Sequence, residues 1–271
     1  MENNNGAREI LNAGRAIGER QIIDGVPVIV APEGYEVHTL DLENFQEKPK
    51  RCKDTVRLET VDSFCSFVDR QTIEGRTIIF ADLSARRFTA VIDYHKSGID
   101  PGWGDHSAVL SMTETSSWKR WVGNNNVKMD QLPFADLIEA GADDIIEPSG
   151  ADVMELISAL KVKKKAEFHS VIDTKTGNQT IQFTEKTEGE ATKGNLDFFG
   201  RFSLGIKPFR GSAVYKVACR LRFIITQENK LKVFYSMINP EMVVEDAFSV
   251  ETSKIAQHMA GKDIPLFDGP F

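Results

Sequence analysis

The spacing of apolar residues changes along this chain, and each change predicts an element. At the start the pattern is thin: Ile10, Leu11 and Ile17 suggest a weak helical face, but Gly14 and Gly18 weaken it. The run VPVIVAPEGYEV (26–37) is apolar and extended, then broken by Pro32 and Gly34, which predicts a short strand followed by a turn. Residues 41–57 are polar, and KPKRCK (48–53) within them predicts a solvated loop. At 60–71 the spacing becomes helical. Val61, Phe64, Cys65 and Val68 recur at i, i+3, i+4 and i+7, and Thr60 stands at the N-cap position. The segments TIIFAD (77–82), RFTAVIDYH (87–95) and HSAVLSMTE (106–114) then read as three strands, rich in β-branched and aromatic residues. Short links predict antiparallel pairing between them.

The period lengthens again at SSWKRWV (116–122), a helix capped by Ser116 or Ser117, with Trp118 and Trp121 on one face. PFADLIEAGADDI (133–145) predicts a further helix with Pro133 in its first turn. The clearest helix follows. Ser149 and Asp152 open it as a variant capping box, Val153, Leu156, Ile157 and Leu160 make its stripe, and KVKKK (161–165) suits its negative end. From 167 onward strands return: a hairpin about Thr176-Gly177-Asn178, an extended run at 198–209, and a second hairpin formed by 213–226 and 230–238. In that last hairpin Tyr215, Val217, Cys219, Leu221 and Phe223 alternate with charged and small residues, the mark of a half-exposed antiparallel sheet. Asn239 and Pro240 open a final helix. The segment IPLFDGPF (264–271) is apolar with two prolines, which predicts an extended strap docked on its own domain or on a neighbouring subunit.

These elements predict an α+β protein: two antiparallel β-rich parts joined by a helical segment, with extended terminal arms. The expected division is an arm at 1–25, an N-terminal α+β part at 26–132, connecting helices at 133–166, and a C-terminal sheet with final helix and tail at 167–271. The two parts are also compatible with one shared core. Composition agrees with a packed protein, since 41% of the 271 residues are hydrophobic and 27% charged. The net charge of −7 gives no general attraction to nucleic acid, though a local basic patch stays compatible with it. Cys52, Cys65 and Cys219 are odd in number and contain no CxxC pair, so neither a disulfide framework nor a zinc site is expected. No apolar run approaches the ~18 residues of a membrane span. The polar start lacks a signal-peptide core, and the expected location is the cytoplasm, with no membrane partner.

Candidate chemistry concentrates in AVIDYHKSGIDPGWGDHSAVL (90–110). Side chains two apart in a strand share a face, so Asp93 and His95 point the same way. A loop over 96–105 would set His106 opposite His95. The three then suggest a two-histidine, one-carboxylate metal site, or an acid–base pair. The competing reading is a hairpin whose polar ends bond the loop backbone, since Asp100-Pro101-Gly102 and Gly104-Asp105 are ordinary turn sequences. No GxGxxG, P-loop or GxSxG motif is present, and the sequence names no cofactor. Basic and aromatic residues interleave at WKRW and CRLRF, so Trp118, Arg120, Trp121, Arg220 and Arg222 are candidates for gripping single-stranded nucleic acid. The two tryptophans fit a core face equally well.

Beyond individual motifs, VIVAPEGYEV, TIIFADLSARRFTAVIDYH, HSAVLSMTETSSWKRW, QLPFADLIE, SLGIKPFRGSAVYKVACRLRF and NPEMVVEDAF resemble the YfdQ-like family of bacteriophage and prophage proteins, over about residues 26–255. This resemblance implies a phage-encoded intracellular protein from genomes where such genes sit near DNA-metabolism genes, and it assigns no site residue. Three functions are expected in turn. The first is a non-enzymatic accessory protein that self-assembles into a homo-oligomer and binds a host protein, a nucleic acid or a small signalling nucleotide. The second is a metal-dependent hydrolase using Asp93, His95 and His106. The third is a single-strand nucleic-acid-binding protein.

Overall fold

The computed structural model describes residues 21–23, 26–28, 43, 46–162, 167–172, 179–187, 190–197, 200–228 and 230–271. The chain divides into two compact units, residues 1–52 and residues 53–271. In the first, β1 (Gln21–Ile23) pairs antiparallel with β2 (Val26–Val28). Most of the expected arm, the break at Pro32 and Gly34 and the turn at 176–178 lie outside the described residues.

The second unit holds five described helices and three sheets. The first sheet has five strands, built from β3 (Thr55–Leu58), β4 (Ile78–Asp82), β5 (Arg87–Val91), β6 (Ser107–Ser111) and, at the far end of the chain, β15 (Leu266–Asp268). Its order is β15-β4-β5-β6-β3. The three predicted strands pair antiparallel at its centre. Both edges, however, run parallel to their neighbours: β3 to β6 and β15 to β4. The expected purely antiparallel part is therefore a mixed sheet. A helix is what makes this possible, because parallel neighbours need a crossover that carries the chain back to the starting end. Helix α1 (Val61–Gln71) follows β3, and the last helix, Pro240–Met259, precedes β15. The strap at 264–271 thus docks on its own domain. Thr60 caps α1 as predicted, its Oγ1 accepting from the Ser63 N–H.

The second five-stranded sheet is antiparallel throughout. It contains β7 (Met129–Asp130), β8 (Ile145–Glu147), β12 (Arg201–Ile206), β13 (Tyr215–Ile225) and β14 (Leu231–Met237), ordered β7-β14-β13-β12-β8. A third sheet pairs β9 (Glu167–Ile172) and β11 (Glu190–Asp197) on either side of β10 (Gln179–Thr187). Strand β11, EATKGNLD, has no apolar alternation, which is why its sequence predicts no strand.

Helix α2 (Ser116–Gly123) is capped by Thr115, one residue before the expected serines. Helix α3 (Gln131–Ala140) stops at Gly141, short of the expected 145. A β-carbon at Gly141 would stand 2.5 Å from Trp121 Cζ2, so glycine lets the helix end pack against the indole. Asp144 then anchors the exit, accepting from Ser117 Oγ at 2.9 Å and Trp121 Nε1 at 2.7 Å. Helix α4 (Gly150–Val162) follows, with Ser149 Oγ accepting from the Asp152 N–H. The last helix, α5 (Pro240–Met259), has Asn239 at its cap position in the left-handed region, without the side-chain bond the sequence suggests.

One apolar cluster runs through this unit, from Phe64, Val68 and Leu110 to Trp121, Val217 and Tyr235. The Phe88 ring of β5 stacks on Phe248 of α5 at 4.6 Å with the planes 3° apart. The Trp121 ring meets Phe202 and Tyr235 under the second sheet.

Candidate functional site

The stretch between β5 and β6 is knit by its own polar groups. Asp93 Oδ1 accepts the His106 backbone N–H at 3.0 Å, and His95 Nδ1 accepts the Gly102 N–H at 3.0 Å. Arg76 reaches across to donate to the Tyr94 carbonyl at 3.3 Å and to Asp100 Oδ1 at 2.6 Å. Gly102 fits where no β-carbon can, since one would lie 2.0 Å from the Asp93 carbonyl oxygen. The expected register does not hold. Strand β5 ends at Val91, opposite Ser107, and the Ile92 N–H donates to the His106 carbonyl. Ile92, not His95, therefore faces His106, and the strand alternation that would align Asp93 with His95 has already ended. His95 is exposed against its own loop, while the His106 ring is buried edge-on to Phe67 at 6.3 Å. Among the described residues no three His, Cys, Asp or Glu side chains converge to hold a metal ion.

Trp118 and Trp121 are both buried, 2% and 0% exposed, so neither ring offers a face on which a base could stack. Arg120 is occupied at the end of α3, where its Nη1 donates to the Ala140 carbonyl at 2.6 Å. The structure thus separates these three from Arg220 and Arg222, which stand on the outer face of β13.

That outer face has a feature the sequence leaves hidden. Arg220 stands directly opposite Arg201 on β12, and on its other side opposite Ser236 of β14. Arg222, two residues on, stands opposite Phe234. Strand alternation puts all four large side chains on one surface. Two lysines flank them, and each has a carboxylate: Lys216 Nζ donates to Glu147 at 2.8 Å, and Lys232 Nζ lies 2.8 Å from Asp130. No hydrogen bond or ion pair among the described residues engages the guanidinium groups of Arg201, Arg220 or Arg222. Like charges directly opposite across a ladder are destabilising, and among the described residues no acid pairs with either arginine. Arg201 and Phe234 escape sequence reasoning because only the β12–β13–β14 register brings them to CRLRF.

A separate cleft of about 440 Å³ opens between the start of α1, the end of β6 and the second half of α5. Its inner wall includes Cys65, Met112 and Glu251, all buried. Its rim carries Glu59, Asp62, Arg210, Lys254 and His258. Burial, then the nearby Asp69 and Asp62 carboxylates, push the Cys65 thiol up to about 11, so it stays protonated and unreactive at neutral pH. Glu251 is 3% exposed, and its Oε1 accepts from Lys254 Nζ at 2.7 Å. Beside the cleft, Asp69 ties α1 to α5: its Oδ1 accepts from Lys262 Nζ at 2.7 Å and its Oδ2 lies 2.9 Å from His258 Nε2.

Among the described residues no helix is long and apolar enough to cross a membrane. No curated protein and no solved structure matches the chain. Residues 6–271 match the model of a family of uncharacterized conserved proteins, DUF2303, and the chain belongs to that family.

Proposed function

We propose that this protein is a non-enzymatic binding protein whose target is single-stranded nucleic acid, held on the outer face of the second sheet. One observation carries the reading: Arg201 faces Arg220 across β12 and β13 without a counter-charge among the described residues, with Arg222 and Phe234 beside them. An arginine pair that repels itself in the free protein gains twice from a phosphate chain, through attraction and through relief of the repulsion. The Phe234 ring adds a surface on which a base can stack. The resemblance of its sequence segments to YfdQ-like proteins supports a setting in the cytoplasm of a phage's host as part of this reading. The test is titration of a fluorescent oligothymidylate at several salt concentrations. Three arginine–phosphate contacts would give a slope of log K against log salt of about −2, at roughly −0.7 per contact on single strands. Arg220→Gln is expected to flatten that slope while raising the unfolding free energy by about 0.2–1 kcal/mol, because it removes the repulsion. Absence of binding at low salt, or an unchanged slope in the variant, overturns the reading.

A second reading, self-assembly, has its own support. The Phe80 ring meets Tyr94 at 5.8 Å, Phe267 at 6.3 Å and Phe271 at 5.4 Å. Phe267 and Phe271 are still about half exposed, and Trp103 in the adjoining loop is 79% exposed. Aromatic groups gathered on a surface mark an interaction site, and this one is suited to a second copy of itself. Light scattering on the full chain at micromolar concentration is expected to show an oligomer that Phe267→Ser and Phe271→Ser shift toward monomer. A strict monomer at that concentration removes the reading.

A further inference from the structure

We propose that the cleft beside α5 binds a small organic cation, a protonated amine on a short apolar body, and that Glu251 is its anchor. This site is independent of the arginine face and of the aromatic surface. Removing a carboxylate from water is expensive unless its charge and its lone pairs are met. At 3% exposure, Glu251 receives one donor among the described residues, Lys254 Nζ on Oε1. Oε2 accepts nothing among the described residues, yet the residue forms part of the wall of an open cleft. A carboxylate held in that state is half-satisfied, and an ammonium group with three donors is suited to complete it.

The surroundings select the same chemistry. The lining carries three carboxylates, Glu59, Asp62 and Glu251, against two permanent cations, Arg210 and Lys254. The field inside therefore favours positive charge, and Lys254 is already engaged with Glu251. Met112, Val61 and the protonated Cys65 thiol supply a soft apolar wall for a short hydrocarbon chain. A volume of about 440 Å³ matches the lower range of small-molecule sites.

Calorimetric titration of the full chain with n-butylammonium chloride tests this, with n-butanol, sodium butyrate and inorganic phosphate compared at constant ionic strength. Butylammonium is expected to bind with a millimolar Kd, at least tenfold tighter than butanol, which shares its shape and lacks its charge. Glu251→Gln keeps the side-chain volume and is expected to weaken butylammonium at least tenfold. Equal affinity for butanol and butylammonium overturns the proposal within the unaltered protein, whatever the variant's folding. Preference for phosphate or butyrate would overturn it too, by assigning the cleft to Arg210 and Lys254. So would the absence of any butylammonium binding, or undiminished binding to a folded Glu251→Gln.

Discussion

At the scale of single residues, His106 is the clearest departure from packing rules. Both ring nitrogens are buried and neither has a hydrogen-bond partner among the described residues. An unmet buried polar group costs about 1–3 kcal/mol, so replacing the ring by an apolar one of similar shape removes a penalty. His106→Phe is expected to raise the urea midpoint by the equivalent of about 1 kcal/mol, with the new ring keeping the edge contact to Phe67. A destabilised variant would show instead that the imidazole is satisfied in solution. The tryptophans teach the complementary lesson. WKRW places Trp118 and Trp121 at a spacing shared by a core face and a base-stacking face, and spacing alone does not separate the two. Burial against Phe202 and Tyr235 does.

Between elements, the contact between α1 and α5 depends on a charge. Burial raises the Asp69 carboxyl, but hydrogen bonds from Lys262 and His258 outweigh that and hold it below its ordinary value. A carboxyl depressed in the folded state contributes stability above its unfolded pKa of about 3.9, and that contribution is lost as pH falls through the lower folded value. The sensitive window is therefore acidic, below about pH 4. Because Asp69 is about one-third exposed, solvent screens the pair and the contribution is modest. Asp69→Asn is expected to cost about 0.5–1 kcal/mol at pH 7 and to flatten the acid limb of the stability profile, read by urea unfolding between pH 3 and 7. An unchanged acid limb would mean the clamp carries no stability. At this scale the sequence is legible where periodicity is local: α1, the three central strands of the first sheet and the β13–β14 hairpin all fall close to their predicted positions. It is silent where an element is defined by its partner. Strands β7 and β8 are two and three residues long and exist through pairing with β14 and β12.

For the molecule as a whole, the question is whether the first and second sheets share one core. Helix α5 lies against both α1 and β13, and Phe248 on it is buried on the Phe88 ring of the first sheet. Phe248→Ala is expected to cost about 3–5 kcal/mol, the range for an aromatic removed from a core. In a Trp103→Phe background, where tryptophan fluorescence reports on the buried Trp118 and Trp121 below the second sheet, the denaturation midpoints from fluorescence and from far-UV circular dichroism should move together. A fluorescence midpoint that stays in place while the dichroism shifts would mean two cores that unfold separately.

The sequence by itself determined the α+β class, most helix and strand positions and the alternating faces of β13, because all of these follow from the local period of apolar residues. Tertiary structure alone decided which residues meet. Ending β5 at Val91 set the register that parts His95 from His106. Pairing β12 with β13 set Arg201 against Arg220. Folding α5 across the first sheet put Glu251 into the wall of a cleft with Met112. The physical reason is common to the three: a residue's face is encoded by its near neighbours in the chain. Its partner depends on strand register and on crossovers, which answer to the whole core.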